Sequence, residues 1–193
     1  MKAVKVLVVP RAAWGPSIAQ FKPGLEPDPH LAGRILPGHR IDNSFIDPRD
    51  FPWNPFRGRD SLLQSVDPAR SFRILLRERA ADIIVAAGEG GALLPLLLRR
   101  ALGFKAPIAL WDIGLGDQWK PRQHILNAVI PRADAILVLS TSQKRYIEAR
   151  WAPRGEVVVV GHMVDTEFFH PMDNRHSDQI LSIGDDRGRD YST

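Results

Sequence analysis

The sequence predicts an α/β domain built on a doubly wound parallel sheet, and three observations carry that prediction. Short runs of branched apolar residues recur along the chain, as strands buried on both faces require. Segments with helical apolar spacing separate most of them, at the roughly ten to fifteen residues a crossover helix needs. Caps, prolines and glycines mark the boundaries between the two kinds of segment. Strands joined through helices in this way lie parallel, because the right-handed β-α-β crossover returns the chain to the same end of the sheet.

Val4-Lys5-Val6-Leu7-Val8-Val9, closed by Pro10, is the first strand and belongs at the centre of the sheet. Residues 10–68 hold ten of the sixteen prolines, which oppose regular structure, so this third reads as loop with short strands near Arg34-Ile35-Leu36 and Ser44-Phe45-Ile46. Asp67-Pro68 supplies a cap followed by proline at the first helical position, and Phe72, Leu75, Leu76 and Ala80 recur at helical spacing, giving a helix over 68–80. A strand follows over 82–87, a tight turn at Gly88-Glu89-Gly90-Gly91, and a helix over 92–102 ended by Gly103. Residues 107–111 form the next strand. Pro121 opens a helix that Pro131 ends, and 134–139 is again a strand. Ser140-Thr141-Ser142-Gln143 has capping-box spacing for a helix to about Arg150, and 156–160 closes the set.

Composition limits the function classes. The chain has 193 residues, 44% of them hydrophobic, enough for one domain with a continuous core. Its longest apolar stretch, 92–98, contains Pro95 and is far short of the roughly 18 residues of a membrane span. The start, Met1-Lys2-Ala3-Val4-Lys5, lacks a signal-peptide pattern, which favours the cytoplasm. Without cysteine there is no disulfide framework, thiolate nucleophile or Cys-based zinc site. The net charge of +4 points to an anionic partner. Arg70, Arg73, Arg77 and Arg79 fall together, as do Arg99 and Arg100, and Lys144, Arg145 and Arg150. These read first as solvated helix faces and next as a patch for peripheral contact with an anionic membrane; no nucleic-acid partner is expected.

In a doubly wound sheet, ligands collect at the carboxyl ends of the strands. That rule nominates four loops: 11–16, with Gly15; 88–91; 112–118; and 140–143, with Ser140. Gly88, Glu89 and Gly90 form a turn by which a ligand can approach the backbone, although a plain tight turn fits equally. Asp112-Ile113-Gly114-Leu115-Gly116-Asp117-Gln118-Trp119 places two carboxylates, two glycines and an aromatic just past a buried strand. Carboxylates accept from sugar hydroxyls, and Trp119 can cover an apolar sugar face; the same aspartates also serve as turn caps. No GxGxxG follows the first strand and no GxxxxGK[ST] occurs, which argues against dinucleotide-dependent dehydrogenases and P-loop ATPases. The six histidines make no HExxH pattern, and no Gly-x-Ser-x-Gly elbow is present.

Pro131-Arg132-Ala133-Asp134-Ala135-Ile136-Leu137-Val138-Leu139-Ser140, then Val164-Asp165-Thr166-Glu167-Phe168-Phe169-His170-Pro171, then Ile180-Leu181-Ser182-Ile183-Gly184 with Gly188-Arg189-Asp190-Tyr191, resemble in order and spacing a family 4 glycosyltransferase of the GT-B fold. The likeness covers about residues 80–193. It implies two Rossmann-like domains facing across a cleft, a nucleotide-sugar donor, a glycan or lipid-linked acceptor, and transfer with retention of anomeric configuration; no cofactor or metal is expected. Residues 1–160 then correspond to the acceptor domain, 161–177 to the interdomain linker and 178–193 to a truncated start of the donor domain. A piece of this extent is expected to be inactive alone and weakly held from Gly161 onward. Envelope or exopolysaccharide assembly is the implied setting, at the inner face of the membrane.

Asp112 stands where many members carry histidine, so a catalytic role there rests on a carboxylate that accepts hydrogen bonds and cannot donate as a neutral imidazole does. The hinge reads His162-Met163-Val164-Asp165 in place of Asn-Gly-Val-Asp, and the paired glycines after the first strand reduce to Gly15. Two other functions stay open: a stand-alone acceptor or scaffold subunit with a separate donor-domain chain, and a sugar-nucleotide epimerase of the same two-domain fold.

Overall fold

The computed structural model describes residues 3–11, 14–22, 25, 27–28, 35–51, 66–111, 120–161 and 165–169. Its strands are β1 (Val4–Val9), β2 (Ile41–Phe45), β3 (Ile83–Ala87), β4 (Ile108–Trp111), β5 (Ala135–Val138) and β6 (Glu156–Val159). They form one sheet in the order β2-β1-β3-β4-β5-β6, every pair parallel. The helices are α1 (Gly15–Gln20), α2 (Ile35–Gly38), α3 (Pro68–Arg77), α4 (Leu93–Leu98), α5 (Lys120–Val129) and α6 (Thr141–Trp151), with single 3-10 turns at Pro48–Asp50 and Ile130–Arg132. The doubly wound, Rossmann-like α/β fold expected from the sequence is the one observed.

Register sets the core. Val9 lies opposite Ala86 and Leu110 opposite Ile136, so the alternate residues Leu7, Val9, Ile84, Ala86, Ile108, Leu110, Ile136 and Val138 share one buried face. Helices α3, α4 and α5 pack side by side, and α6 lies against β5 and β6. Ile74, Leu75, Leu93, Leu96, Ile125, Leu126, Val129 and Ile147 close the core from the helical side. Each such side chain contributes about 1.5–3 kcal/mol by leaving water.

Two local expectations are corrected. Ile35 and Leu36 are helical, not extended: Pro37 falls within a single helical turn, where its missing N–H costs nothing, and the chain leaves through Arg40 at φ 61° into β2. Helix α3 keeps its Asp67 cap, with the carboxylate accepting from the Arg70 N–H at 3.3 Å, but it ends at Arg77 and turns a different face inward. Arg70, Ser71, Ile74 and Leu75 are buried while Phe72 and Leu76 are exposed. The cause is Arg70, whose guanidinium donates to the Asp67 carboxylate and to the Pro10 carbonyl, with the Ile46 carbonyl 3.5 Å away. A cation thus enters the interior because it ties the carboxyl ends of β1 and β2 to the start of α3.

Past β6, residues 165–169 are described again. Asp165 is buried, its carboxylate accepting from the N–H groups of Glu167 and Phe168 at 3.1 and 3.2 Å and from the Asp28 N–H at 2.9 Å. Residues 165–169 are therefore linked to the connection between α1 and α2 through Asp28. Residues 178–193 lie outside the described residues.

Candidate active site

Strand order reverses between β1 and β3, so the chain leaves these neighbours in opposite directions, and their carboxyl ends mark the switch point at which a doubly wound sheet forms its ligand crevice. The loops that meet there follow Val9, Ala87 and Trp111. Arg11, exposed just past β1, lies against the glycine turn: a Cβ on Gly88 would stand 3.9 Å from the Arg11 Cδ. Gly88 has φ +90°, a conformation strained for any residue with a side chain, and its N–H donates to the Trp111 carbonyl at 2.9 Å, extending the β3–β4 ladder by one bond. Gly91 abuts β1 so closely that a Cβ would sit 2.5 Å from Val9 Cγ1.

Glu89 is buried, and its carboxylate is gripped by the Arg122 guanidinium, Nε to Oε1 at 2.6 Å and Nη2 to Oε2 at 3.2 Å. Arg122 stands in the first turn of α5, so the pair ties the β3–α4 turn to the helix that follows residues 112–119. Both carboxylate oxygens are engaged, which makes Glu89 an anchor of the crevice wall. The Glu89 carbonyl also accepts from the N–H groups of Ala92 and Leu93, both at 3.2 Å, and so starts α4.

An aromatic group adjoins the crevice. Trp14 meets Trp111 edge-on with ring centroids 5.6 Å apart and lies 6.3 Å from Phe45, joining the ends of β1, β2 and β4. Among the described residues the buried Trp111 indole N–H has no acceptor. An unpaired buried donor costs about 1–3 kcal/mol, so its presence one residue before Asp112 is notable.

Of the residues nominated from sequence, Gly88, Glu89 and Gly90 stand together at this crevice, and Gly15 opens α1 just beyond β1. Ser140 is farther along the same edge, after β5, where its hydroxyl caps α6 by accepting from the Gln143 N–H at 3.2 Å; the Gln143 amide accepts in turn from the Leu139 N–H at 2.8 Å. Asp112, Asp117 and Trp119 lie outside the described residues. Sequence reasoning missed Arg122, and it nominated the loop 11–16 without singling out Arg11 or Trp14. The topology held the signal for Arg122: β3 and α5 meet the carboxyl edge at adjacent strands, so a carboxylate just past one and a guanidinium just inside the other fall within reach. Among the described residues no cluster of histidine or carboxylate groups is placed to hold a metal ion, and no helix is long and apolar enough to cross a membrane.

Comparison with curated proteins gives no match. The family model for the glycosyl transferase 4-like domain matches residues 5–162, from β1 through the whole sheet. The parallel sheet, its switch-point crevice and that match agree, and the chain belongs to the glycosyl transferase 4-like domain family of glycosyltransferases.

Proposed function

We propose that the chain is the acceptor-side domain of a retaining glycosyltransferase that moves a sugar from a nucleotide-sugar donor to a glycan or lipid-linked acceptor in envelope or exopolysaccharide assembly. In this reading residues 1–160 shape the acceptor site, 161–177 lead to the second domain and 178–193 begin it. The enzyme works in the cytoplasm, at the inner face of the membrane. The observation that carries the reading is the convergence of Arg11, the Gly88 turn, the Glu89–Arg122 anchor and Trp111 at the one edge where the sheet changes direction.

The transfer breaks the bond between the anomeric carbon and the nucleotide diphosphate, forms a bond from that carbon to an acceptor oxygen, and releases the acceptor hydroxyl proton. Asp112 follows Trp111 directly in the chain and is assigned the contact to a sugar hydroxyl near the reacting carbon. Asp117 and Trp119 are assigned to the acceptor, as hydrogen-bond acceptor and stacking surface. Gly15, Gly88 and Gly90 let it approach the backbone, and Ser140 borders the same edge.

The test is transfer by the protein carrying both domains, given a panel of nucleotide sugars and lipid-linked acceptors, with the product's anomeric configuration read by NMR. The expected product keeps the donor's configuration. Interconversion of free nucleotide sugars with no transfer product would instead establish an epimerase.

A further inference from the structure

Four arginines gather at the end of the sheet opposite the crevice. Arg99 and Arg100 stand in the connection from α4 to β4, Arg132 in the 3-10 turn before β5, and Arg154 in the turn before β6. All three are helix-to-strand connections, so they lie at amino ends of strands, whereas the crevice lies at carboxyl ends. With Leu96, Leu97 and Pro131 these arginines line a cavity of about 430 Å³, and no acidic residue is among its walls.

Local bonding accounts for only part of this charge. Arg99 pairs with Asp134, whose carboxylate also accepts from the Ile108 N–H at 2.8 Å, and it donates to the Arg132 carbonyl at 3.2 Å. Arg132 donates to the Ala128 carbonyl at 2.8 Å, which orients it without neutralising it. Arg100 and Arg154 are exposed and have no carboxylate partner among the described residues. Like charges held in one hollow repel, and an anion entering it relieves that repulsion. Guanidinium groups suit one anion chemistry above others, since their planar fork matches the oxygens of a phosphate in two parallel bonds. The volume is in the range of small-molecule sites, about 300–1,000 Å³. Leu97, 45% exposed, and Pro131 offer an apolar wall to an organic group attached to the phosphate.

We infer that this cavity is a binding site for a phosphate-bearing anion, separate from the transfer crevice. The phosphate belongs either to a soluble molecule or to the headgroup of an anionic lipid, and two probes distinguish them. Titration calorimetry with inorganic pyrophosphate reads the soluble source. Co-sedimentation with phosphatidylcholine vesicles, with and without phosphatidylglycerol, reads the lipid source.

Arg100→Glu/Arg154→Glu changes two exposed side chains that make no ion pair among the described residues, and its thermal melting checks that the fold is intact. It should weaken binding of the responding probe by at least roughly tenfold, the change that follows from losing about 1.4 kcal/mol of binding free energy. The control, Arg145→Glu/Arg150→Glu on α6, makes the same charge change elsewhere and should leave binding within about twofold of the parent. Binding of either probe that only the cavity variant loses supports the site and identifies its source. Failure of both probes to bind the parent, or equal loss in the control, overturns it.

Discussion

Glu89 and Arg122, 33 positions apart in the chain, form a two-point ion pair at 2.6 and 3.2 Å in which each side chain is no more than 10% exposed. Such a pair has exchanged two hydration shells for one another, so loss of either partner removes a charge that compensates the other in the interior. Glu89→Ala and Arg122→Ala should each lower stability by about 3–5 kcal/mol in chemical denaturation, whereas Glu89→Leu/Arg122→Met should come close to the parent. A loss under about 1 kcal/mol in both single variants would show that water reaches the pair freely.

Gly91 is fixed by its approach to β1. An alanine Cβ would meet Val9 Cγ1 at 2.5 Å and Val9 Cβ at 3.2 Å, and Val9 is 1% exposed in the core. Gly91→Ala should therefore cost about 1–3 kcal/mol through overpacking. Combining it with Val9→Ala, which removes the obstructing methyls, should cost less than the sum of the two single changes. Strict additivity would mean that the turn moves aside instead.

Arg70 gathers Asp67 and the Pro10 carbonyl around one buried guanidinium. Lysine carries the same charge but holds its three donors on one nitrogen and cannot span both partners as the planar fork does, so Arg70→Lys should destabilise nearly as much as Arg70→Met, by about 3 kcal/mol or more. Full stability in the lysine variant, measured by urea unfolding, would contradict a role for the planar fork.

Asp165 closes its own turn and accepts from the Asp28 N–H. Its replacement by alanine should cost about 2 kcal/mol, hence lower Tm by roughly 4–8 °C for a chain of this size. Amide exchange should quicken at Asp28 as well as at Glu167 and Phe168; acceleration confined to 167 and 168 would show that the link to Asp28 is not formed in solution.

The parts of the fold that rest on local chemistry were legible in the chain. The run of β-branched residues over 4–9, the Asp67-Pro68 start and the Ser140 to Gln143 cap all appear as read, because each is decided within one turn or one strand. What escaped depended on partners far away. The inward face of α3 was misjudged because Arg70 is buried by groups 24 and 60 positions distant, which no helical spacing records. The glycine turn was visible by composition, but Glu89 as an anchor required Arg122, and the aromatic contact of Trp14 with Trp111 required the strand order.

The placement of transfer at the carboxyl edge is tested most directly at Asp112, in the protein carrying both domains. Asp112→Asn keeps the shape and removes the carboxylate, and with it a charge-assisted hydrogen bond worth about 1.5–3 kcal/mol, so transfer efficiency should fall at least about tenfold. Donor affinity and melting temperature, measured on the same variant, should stay near those of the parent. Transfer at the parent's rate, or a loss that tracks a lowered melting temperature and recovers on cooling, would contradict a site at Asp112.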